Sequence, residues 1–529
     1  MSQQEKYYTR IGRATELAGK KYIQYRFFEI LPGFITWGTL ISMVLFSWLR
    51  PVWVAFFILS FDVYWLLKTI YLTFHLRATF NKMRLNLKTD WLKELFLVSL
   101  PAEKLSPPIQ KWQDVWHMVI LPVYKESSEV MRSTLRSIFE TSYPKDRMII
   151  VMGIEERAGQ EAQQVGWDME KEFKDKFAYF ILVTHPDGVE GELRGKGSNE
   201  TWAIKKAKEL VVDRQKIPYE HIIVSSFDAD TQVYNHYFSR LTYVFLTCSE
   251  PLRSSFQPIP VFNNNIWEAP FFSRLVACSA TFWQMMQQER KDRLVSFSSH
   301  SLPFKALVEV GFWQTNIVSE DSRIFWQLFL WFDGKYYVEP LYYPVSMDAN
   351  VGKRTFETMR NIYKQQRRWA YGVENFSYIF YGFVRNKSVP LKKRLYYVFV
   401  LFEGFWSWST NALMISLLGW LPVMIGGWEF QVTVLGSNLP SLTRRLMMVT
   451  MAGLILSAIY SYKLLPPKPA HVKGKYFIKF VTIFQWVLLP LTLIIFGSIP
   501  AIDAQTRLML GRYMGFWVTP KFRKERSEN

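Results

Sequence analysis

The stretch HIIVSSFDADTQ, residues 221–232, joins an apolar run to two acids one residue apart. Its β-branched residues from Ile222 to Val224 are typical of a buried strand, and Asp228 and Asp230 follow that strand. Residues two apart in an extended segment point to the same side, so we expect both carboxylates to reach one cation. A pair of acids alone is weak evidence, because most such pairs are solvated loop residues. Mg²⁺ or Mn²⁺ would suit two carboxylates completed by substrate phosphates.

Strand-like and helical runs alternate along the neighbouring chain. Apolar, strand-like runs occupy residues 115–124, 147–155 and 177–185, and helical runs occupy residues 127–141, 160–176 and 199–213. This alternation predicts a mostly parallel sheet covered by helices. Ligands bind outside the carboxyl ends of the strands in such sheets. We therefore expect one rim of the sheet to gather Tyr124, Glu155, Lys196 and Asp228.

The 529-residue chain is aromatic-rich and basic, with 17% Phe, Trp and Tyr and a formal net charge of +19. Such a charge suits either nucleic acid or an anionic membrane surface. Two apolar runs, residues 30–49 and 52–76, favour the membrane because each is long enough to cross a bilayer. Basic residues flank this pair, so the positive-inside rule predicts a transmembrane hairpin with both ends in the cytoplasm. The rule also accounts for the basic charge, and we expect no nucleic-acid partner.

Three further apolar blocks follow, at residues 396–428, 447–462 and 480–502. The first is broken by Gly419 and Pro422. It can be one long span with an outer loop, or a span with a short re-entrant return. Five spans would place the C-terminus outside, whereas the basic tail prefers the cytoplasm. We therefore expect an even number of spans in a multi-pass protein of the cell (inner) membrane.

These patterns divide the chain into five predicted segments. Residues 355–380 mix Arg and Lys with large aromatics, which suits helices at a membrane interface. The segments are an N-terminal cytosolic stretch and transmembrane hairpin (1–104), a cytoplasmic α/β domain (105–350), amphipathic interface helices (351–390), C-terminal transmembrane helices (391–502) and a basic cytosolic tail (503–529).

A second pair of acids, Glu320 and Asp321, lies in IVSEDSRIFWQ, residues 317–327, just before an apolar helical run. Ser319 or Asp321 could simply be the helix N-cap. Alternatively, an acid here could be a general base, its pKa raised by burial and by the adjacent like charge. The spacing leaves both interpretations open.

A third motif, QQRRW at residues 365–369, combines planar cations with an aromatic ring. A guanidinium fork matches phosphate oxygens, and Trp369 offers a flat face to a sugar ring or a base. The same residues would also suit a lipid-facing patch with an aromatic anchor.

Taken in order, five motifs resemble those of the processive family 2 glycosyltransferases, which include cellulose, hyaluronan and chitin synthases. The motifs are LPVYKE (121–126), GKGSN (195–199), DAD (228–230), SED (319–321) and QQRRW (365–369). The resemblance extends over roughly residues 25–500. It implies an α/β GT-A (nucleotide-diphospho-sugar transferase) cytosolic domain inserted between transmembrane α-helices. The implied donor is a UDP- or GDP-sugar, and the implied cofactor is Mg²⁺ or Mn²⁺.

The resemblance also implies a role for each matching residue. Those roles are the nucleotide pocket for Tyr124 and Glu126, the nucleotide-sugar contact for Lys196, metal and diphosphate binding for Asp228 and Asp230, catalysis by Asp321 beside Glu320, and diphosphate and acceptor binding for Gln365, Arg368 and Trp369. The family usually has two Asp residues after its second strand. This chain has Glu155 and Glu156 there, and either can substitute, which leaves the nucleobase open.

We therefore expect a metal-dependent, inverting hexosyltransferase that transfers sugars to a growing polysaccharide, with a β-linked product. One alternative is a non-processive enzyme that acts on a lipid-linked acceptor. A second, from another class, is a membrane transporter or sensor whose cytosolic sheet binds a nucleotide without chemistry. Product length separates the first two, and a missing base or metal pair would favour the third.

Overall fold

The computed structural model describes residues 3–98, 107–467 and 484–520. Eight strands form one sheet. They are β1 (Trp116–Val123), β2 (Met148–Glu155), β3 (Tyr179–His185), β4 (Ile222–Ser226), β5 (Gln232–Val233), β6 (Ser254–Phe262), β7 (Ser301–Pro303) and β8 (Tyr337–Met347). Their order across the sheet is β3-β2-β1-β4-β7-β6-β8-β5.

The first four strands are parallel and follow the predicted βα alternation. Beyond β4 the sheet is mixed, because β7 runs antiparallel to both β4 and β6, and β5 runs antiparallel to β8. The pair β6 and β8 is parallel again, so β1, β2, β4, β6 and β8 all end at one edge of the sheet. The prediction of strand ends gathered at one rim is therefore confirmed for β1, β2 and β4.

Helices cover both faces of this sheet and extend from both of its ends. Those before and within the sheet domain are α1 (Gly19–Leu49), α2 (Pro51–Lys88), α3 (Trp91–Leu97), α4 (Ser128–Phe139), α5 (Gln160–Phe173), α6 (Lys196–Ala207), α7 (Tyr237–Thr247), α8 (Phe271–Gln288), α9 (Phe304–Val310) and α10 (Glu320–Trp331). Those after it are α11 (Thr355–Ala370), α12 (Glu374–Arg385), α13 (Leu391–Ser416), α14 (Leu421–Ile425), α15 (Gly427–Gln431), α16 (Val434–Lys463) and α17 (Gln485–Met509).

The strands are continuously apolar because both faces of the sheet are covered. Successive side chains of β1 enter different cores: Met118 and Ile120 pack with α6, α9 and α10, whereas Val119 and Leu121 pack with α4, α5 and α7. These four side chains have no exposed surface. The two cores fix the sheet from both sides, so the rim at the strand ends is a rigid platform.

The membrane prediction is supported in part. Among the described residues, α1, α2 and α17 are long and apolar enough to cross a membrane. The block at 396–428 is bent by 52° between α13 and α14, so α13 and α14 together are a broken span or a re-entrant loop. The block at 447–462 lies in the long helix α16, and its crossing of a membrane stays a prediction. The even number of spans stays a prediction.

Parts of four predicted segments lie outside the described residues. They are residues 1–2 and 99–104 of the first segment, 105–106 of the second, 468–483 of the fourth and 521–529 of the tail. The amphipathic segment at 355–380 divides into α11 and α12. Most aromatic side chains of α12 are buried, and the helix packs against α1, α10 and α13, so its location at a membrane interface stays a prediction.

Gly153 of β2 determines how closely α6 approaches the sheet. The Asn199 amide of α6 donates to the Gly153 carbonyl oxygen at 2.8 Å. A Cβ at position 153 would lie 2.4 Å from Asn199 Oδ1 and 3.1 Å from the Ala203 methyl group. Only glycine therefore lets the helix that begins at Lys196 sit this close to the strand.

We expect Gly153→Ala to destabilise the protein by about 1–3 kcal/mol, because the added methyl group must displace α6. Thermal unfolding of the detergent-purified protein measures the effect. Gly372→Ala is the matched control, since a Cβ there would meet nothing within 4 Å. Equal melting temperatures for the two variants would contradict the close approach.

Candidate active site

Lys196 links two of the predicted motifs through its ammonium group. Its Nζ donates to Asp228 Oδ1 at 2.7 Å and to Asp321 Oδ1 at 2.9 Å, and it lies 3.7 Å from Glu200 Oε1. Lys196 is 8% exposed. Burial alone would lower the pKa of Lys196, but attraction to Asp228, Asp321, Glu200 and Glu320 outweighs it and raises the pKa well above its usual value. The side chain is therefore a permanent cation at the sheet rim.

The two acids of the DAD motif are placed differently from the prediction. The motif lies in a turn after β4, in which Thr231 N–H donates to the Asp228 carbonyl oxygen at 2.9 Å. The expected extended geometry is thus wrong. Asp228 stays partly exposed and accepts from the Ser298 hydroxyl at 2.7 Å, whereas Asp230 is buried and accepts from Asp348 N–H at 2.9 Å.

Asp348 is a residue that the sequence analysis missed. It directly follows β8, whose end lies at the same edge of the sheet as that of β4. Asn264 joins the two segments by donating to Asp348 Oδ1 and to the Asp230 carbonyl oxygen, each at 3.0 Å. Among the described residues, no group of three or more His, Cys, Asp or Glu side chains has the geometry of a metal site. The nearby donors are carboxylate oxygens, which suit a hard divalent cation.

The SED motif begins α10, and its two acids have different surroundings. Ser319 occupies the N-cap position, but its hydroxyl donates to Glu374 Oε1 at 2.7 Å and makes no capping bond. Asp321 lies within the first turn and is partly exposed beside Lys196. Glu320 is buried, and neither of its carboxyl oxygens has a hydrogen-bond partner among the described residues.

Burial, and then the Asp321 charge, raise the pKa of Glu320 well above its usual value. Asp321 is the accessible carboxylate of the pair, because its side chain is partly exposed whereas Glu320 is buried. Nδ1 of His300 lies 3.8 Å from Asp321 Oδ1. Burial lowers the pKa of His300 to about 4, so the imidazole is neutral and Lys196 is the cation that faces Asp321.

Glu200 is a second acid that sequence reasoning missed, although it lies on α6 one turn after Lys196. Its Oε1 accepts from the Ser226 hydroxyl at 2.6 Å, and its side chain has no exposed surface. Burial is the main cause that raises the pKa of Glu200 to about 8. The spacing of four residues on one helix was the available signal.

At the predicted nucleotide end of the site, Arg157 lies between Glu155 and Tyr124. Arg157 Nε donates to Glu155 Oε2, and the Arg157 guanidinium lies 4.4 Å from the centre of the Tyr124 ring. Nη2 of Arg157 is buried without a hydrogen-bond partner among the described residues. Glu155 and Arg157 also line a pocket with His185 and Arg194.

Glu126 folds back on its own loop. Its Oε2 accepts from the backbone N–H groups of Tyr124 at 2.7 Å and Lys125 at 3.1 Å. The structure therefore gives Glu126 a role in shaping the loop after β1.

Gln365, Arg368 and Trp369 of the QQRRW motif lie on α11, three and four residues apart, and therefore share one face of the helix. Gln365 and Trp369 line a small pocket that also contains Asp348, and the Trp369 ring packs edge-on against Phe297 at 5.8 Å. Arg368 points instead toward the C-terminal segment, with its guanidinium 4.7 Å from the centre of the Phe516 ring.

Phe516 closes one side of the site, and nothing in the sequence analysis predicted this. A Cβ at Gly195 would lie 2.5 Å from the Phe516 ring, so the tail rests directly on the loop before Lys196. The neighbouring Trp517 ring lies 5.1 Å from Lys364 Nζ on α11. The tail thus contacts both α6 and α11.

No protein-family model matches the chain, and no curated protein matches it. Among solved structures, it is similar to the mannosyltransferase PcManGT from Pyrobaculum calidifontis, in complex with GDP-Man and Mn²⁺, at 13% identity and a TM-score of 0.39, covering 74% of this chain and 98% of the other. It is also similar to residues 1–349 of TarS from S. aureus in complex with UDP, at 12% identity and a TM-score of 0.33, covering 68% and 95%. Both scores lie below 0.5, so neither likeness establishes a shared fold.

Glu200 gives the site a measurable pH signature. Its pKa is about 8 in the folded protein against an ordinary 4.5, so the unfolded state releases the proton first as the pH rises. The stability that the protonated carboxyl provides is therefore present below about pH 4.5 and lost as the pH rises toward 8. We expect the melting temperature to fall less in Glu200→Gln than in the wild type between about pH 6 and about pH 8.

Thermal unfolding across that range measures the difference. Glu190→Gln, which removes an exposed carboxylate, is the control and should follow the wild type. An unchanged slope in Glu200→Gln would show that this carboxyl titrates normally.

Proposed function

We propose that the protein is a membrane-embedded inverting glycosyltransferase with a cytoplasmic GT-A domain, which uses a nucleotide-diphosphate sugar to extend a polysaccharide. The observation that carries the proposal is the pair of contacts from Lys196 to Asp228 and Asp321. These contacts bring Asp228, which suits the donor diphosphate, within a few ångströms of Asp321, which suits the acceptor hydroxyl. The five motifs named above supply the residues of this site.

Asp321 is the proposed general base. It is the accessible acid of its pair, whereas Glu320 beside it is buried and its pKa is raised by that burial. Direct attack by an acceptor oxygen, with its proton taken by Asp321, inverts the anomeric centre and gives a β-linked product from an α-linked donor.

Asp228 and Asp230 are the proposed residues for Mg²⁺ or Mn²⁺, together with the diphosphate. When bound, such an ion neutralises charge that develops on the leaving diphosphate. Lys196 already supplies one cation at this place. The guanidinium of Arg368 suits phosphate oxygens, and Trp369 beside Gln365 suits the flat face of an acceptor sugar.

The apolar helices α1, α2 and α17 support the proposed membrane location, and basic residues at their ends favour a cytoplasmic catalytic domain. The proposed partner is a saccharide acceptor that remains bound to the protein between successive additions. A lipid-linked acceptor with single addition would use the same acids, so the size of the product is the quantity that separates the two activities.

We expect Asp321→Asn to lower sugar transfer by about 10²–10⁴-fold while nucleotide binding is retained, because the variant keeps the shape of the side chain and loses the base. The assay uses the detergent-purified protein with Mn²⁺ or Mg²⁺ and a panel of UDP- and GDP-sugars. Released nucleoside diphosphate and the size of labelled product are recorded. Asp175→Asn, on an exposed surface, is the control.

A long labelled chain in that assay supports polysaccharide synthesis, and a short lipid-soluble product supports the lipid-linked alternative. Full turnover by Asp321→Asn would refute the base assignment. Tight nucleotide binding without transfer from any donor would favour the transporter or sensor class.

We expect Asp230→Asn to weaken metal-dependent donor binding by roughly tenfold or more. The amide preserves the size of the buried side chain and can still accept from Asp348 N–H, so the change is mainly the loss of charge. Calorimetric titration of UDP and GDP with and without Mn²⁺ measures it. Equal metal dependence in variant and wild type would exclude Asp230 as a ligand.

A further inference from the structure

A group of charged side chains lies away from the proposed active site, where α2 and α13 meet the turn after α8. Lys68 belongs to α2 and Glu403 to α13. The turn carries Arg290, Asp292 and Arg293, and is closed by Arg293 N–H donating to the Arg290 carbonyl oxygen at 2.8 Å. None of these residues belongs to the five motifs.

Most of the charges in this group neutralise one another. Lys68 donates to Glu403, and Arg293 Nη1 lies 3.5 Å from the same carboxylate. The Tyr396 hydroxyl donates to Asp292 and accepts from Arg293 Nε at 3.3 Å. Both acids are therefore engaged by other partners.

Arg290 is the cation that remains. It is 7% exposed, and within the described residues it makes no ion pair and its Nε has no hydrogen-bond partner. Its guanidinium lies 5.8 Å from the centre of the Tyr71 ring. Burial, and then the neighbouring Arg293 charge, lower the pKa of Arg290. A buried guanidinium is unfavourable unless an anion pairs with it.

The surroundings of Arg290 indicate which kind of anion would reach it. Leu67 and Phe74 on α2 and Leu395 and Phe399 on α13 are each more than half exposed. An apolar exposed surface on proposed membrane helices faces acyl chains. Contacts of Lys68 with Glu403 and of Phe61 with Trp406 show that α2 and α13 run antiparallel. The basic C-terminal end of α2 and the basic N-terminal end of α13 therefore lie on the same side, which the positive-inside rule assigns to the cytoplasmic leaflet. The group of charged side chains around Arg290 thus lies at the level of the lipid headgroups.

We propose that Arg290 binds the phosphate group of an anionic lipid of the cytoplasmic leaflet. A guanidinium fork matches phosphate oxygens, and tyrosines beside it suit the headgroup level. The cytoplasmic leaflet supplies anionic headgroups. This proposal rests on the proposed membrane location and is independent of the transferase chemistry.

The test is a lipid titration of the full-length, detergent-purified protein by native mass spectrometry. Phosphatidylglycerol is the anionic probe, phosphatidylcholine is the zwitterionic probe, and inorganic phosphate is the free competitor. We expect tighter binding of phosphatidylglycerol than of phosphatidylcholine, and about tenfold weaker phosphatidylglycerol binding in Arg290→Gln. Arg290→Lys should recover part of the affinity. Arg77→Gln, which removes an exposed arginine from α2, should bind like the wild type.

Equal affinities in the wild type and Arg290→Gln would overturn the proposal, as would an equal loss in Arg77→Gln. Displacement of the lipid by inorganic phosphate would assign the site to free anions and overturn the lipid assignment. A photoreactive phosphatidylglycerol on the wild type provides a test that needs no variant. It should label peptides that contain residues 64–74 or 288–296, and labelling confined to other peptides would contradict the site.

Carbonate extraction of the membranes separates this proposal from the proposed location. Release of the protein without detergent would refute the membrane location itself. Retention in the membrane together with unchanged lipid affinity in Arg290→Gln would refute the Arg290 assignment alone.

Discussion

The ammonium group of Lys196 holds together three segments that are far apart in the chain. It contacts Asp228 from the β4 turn and Asp321 from α10, and it lies near Glu200 on its own helix. Removing one partner of a buried ion pair typically costs about 3–5 kcal/mol, because the remaining charge is left uncompensated. The raised pKa of Glu320 follows from the same crowding, since burial and the Asp321 charge both disfavour a further negative charge there. The electrostatics of the rim therefore depend on this one cation.

The rim is also connected to the long apolar helices. Asp503 of α17 accepts from Arg367 Nη1 at 2.8 Å and from the Tyr363 hydroxyl at 3.1 Å. Both donors lie on α11, and Arg367 belongs to the QQRRW motif. At the end of α17, Arg26 of α1 donates to the Leu508 carbonyl oxygen at 2.7 Å. The helix that presents Trp369 is thus joined directly to helices proposed to cross the membrane. A synthase that passes its product to the membrane would need this kind of continuity.

Much of the fold could be predicted because its signals are local. Strands β1 to β4 and the helices between them have the periodicity and β-branched composition expected of a covered parallel sheet. The second half of the sheet was harder to predict, because β7 has only three residues and therefore no recognisable periodicity. Its antiparallel pairing with β4 and β6 also joins segments that are distant in the chain. The aromatic residues of α12 show the limit of a local pattern, since sequence cannot distinguish lipid from protein as the partner of an apolar side chain.

The sequence by itself determined the apolar spans, the strand–helix alternation and the identity of the motif residues, because each depends on neighbours in the chain. Only the tertiary structure decided which charges meet. Lys196 and Asp321 are 125 positions apart, Ser319 bonds to Glu374 instead of capping α10, and Phe516 reaches the loop at Gly195. The surroundings of two adjacent acids also differ, because Glu320 is buried and its pKa is raised, whereas Asp321 is partly exposed beside Lys196. Those surroundings arise from packing between distant segments, which no local pattern encodes.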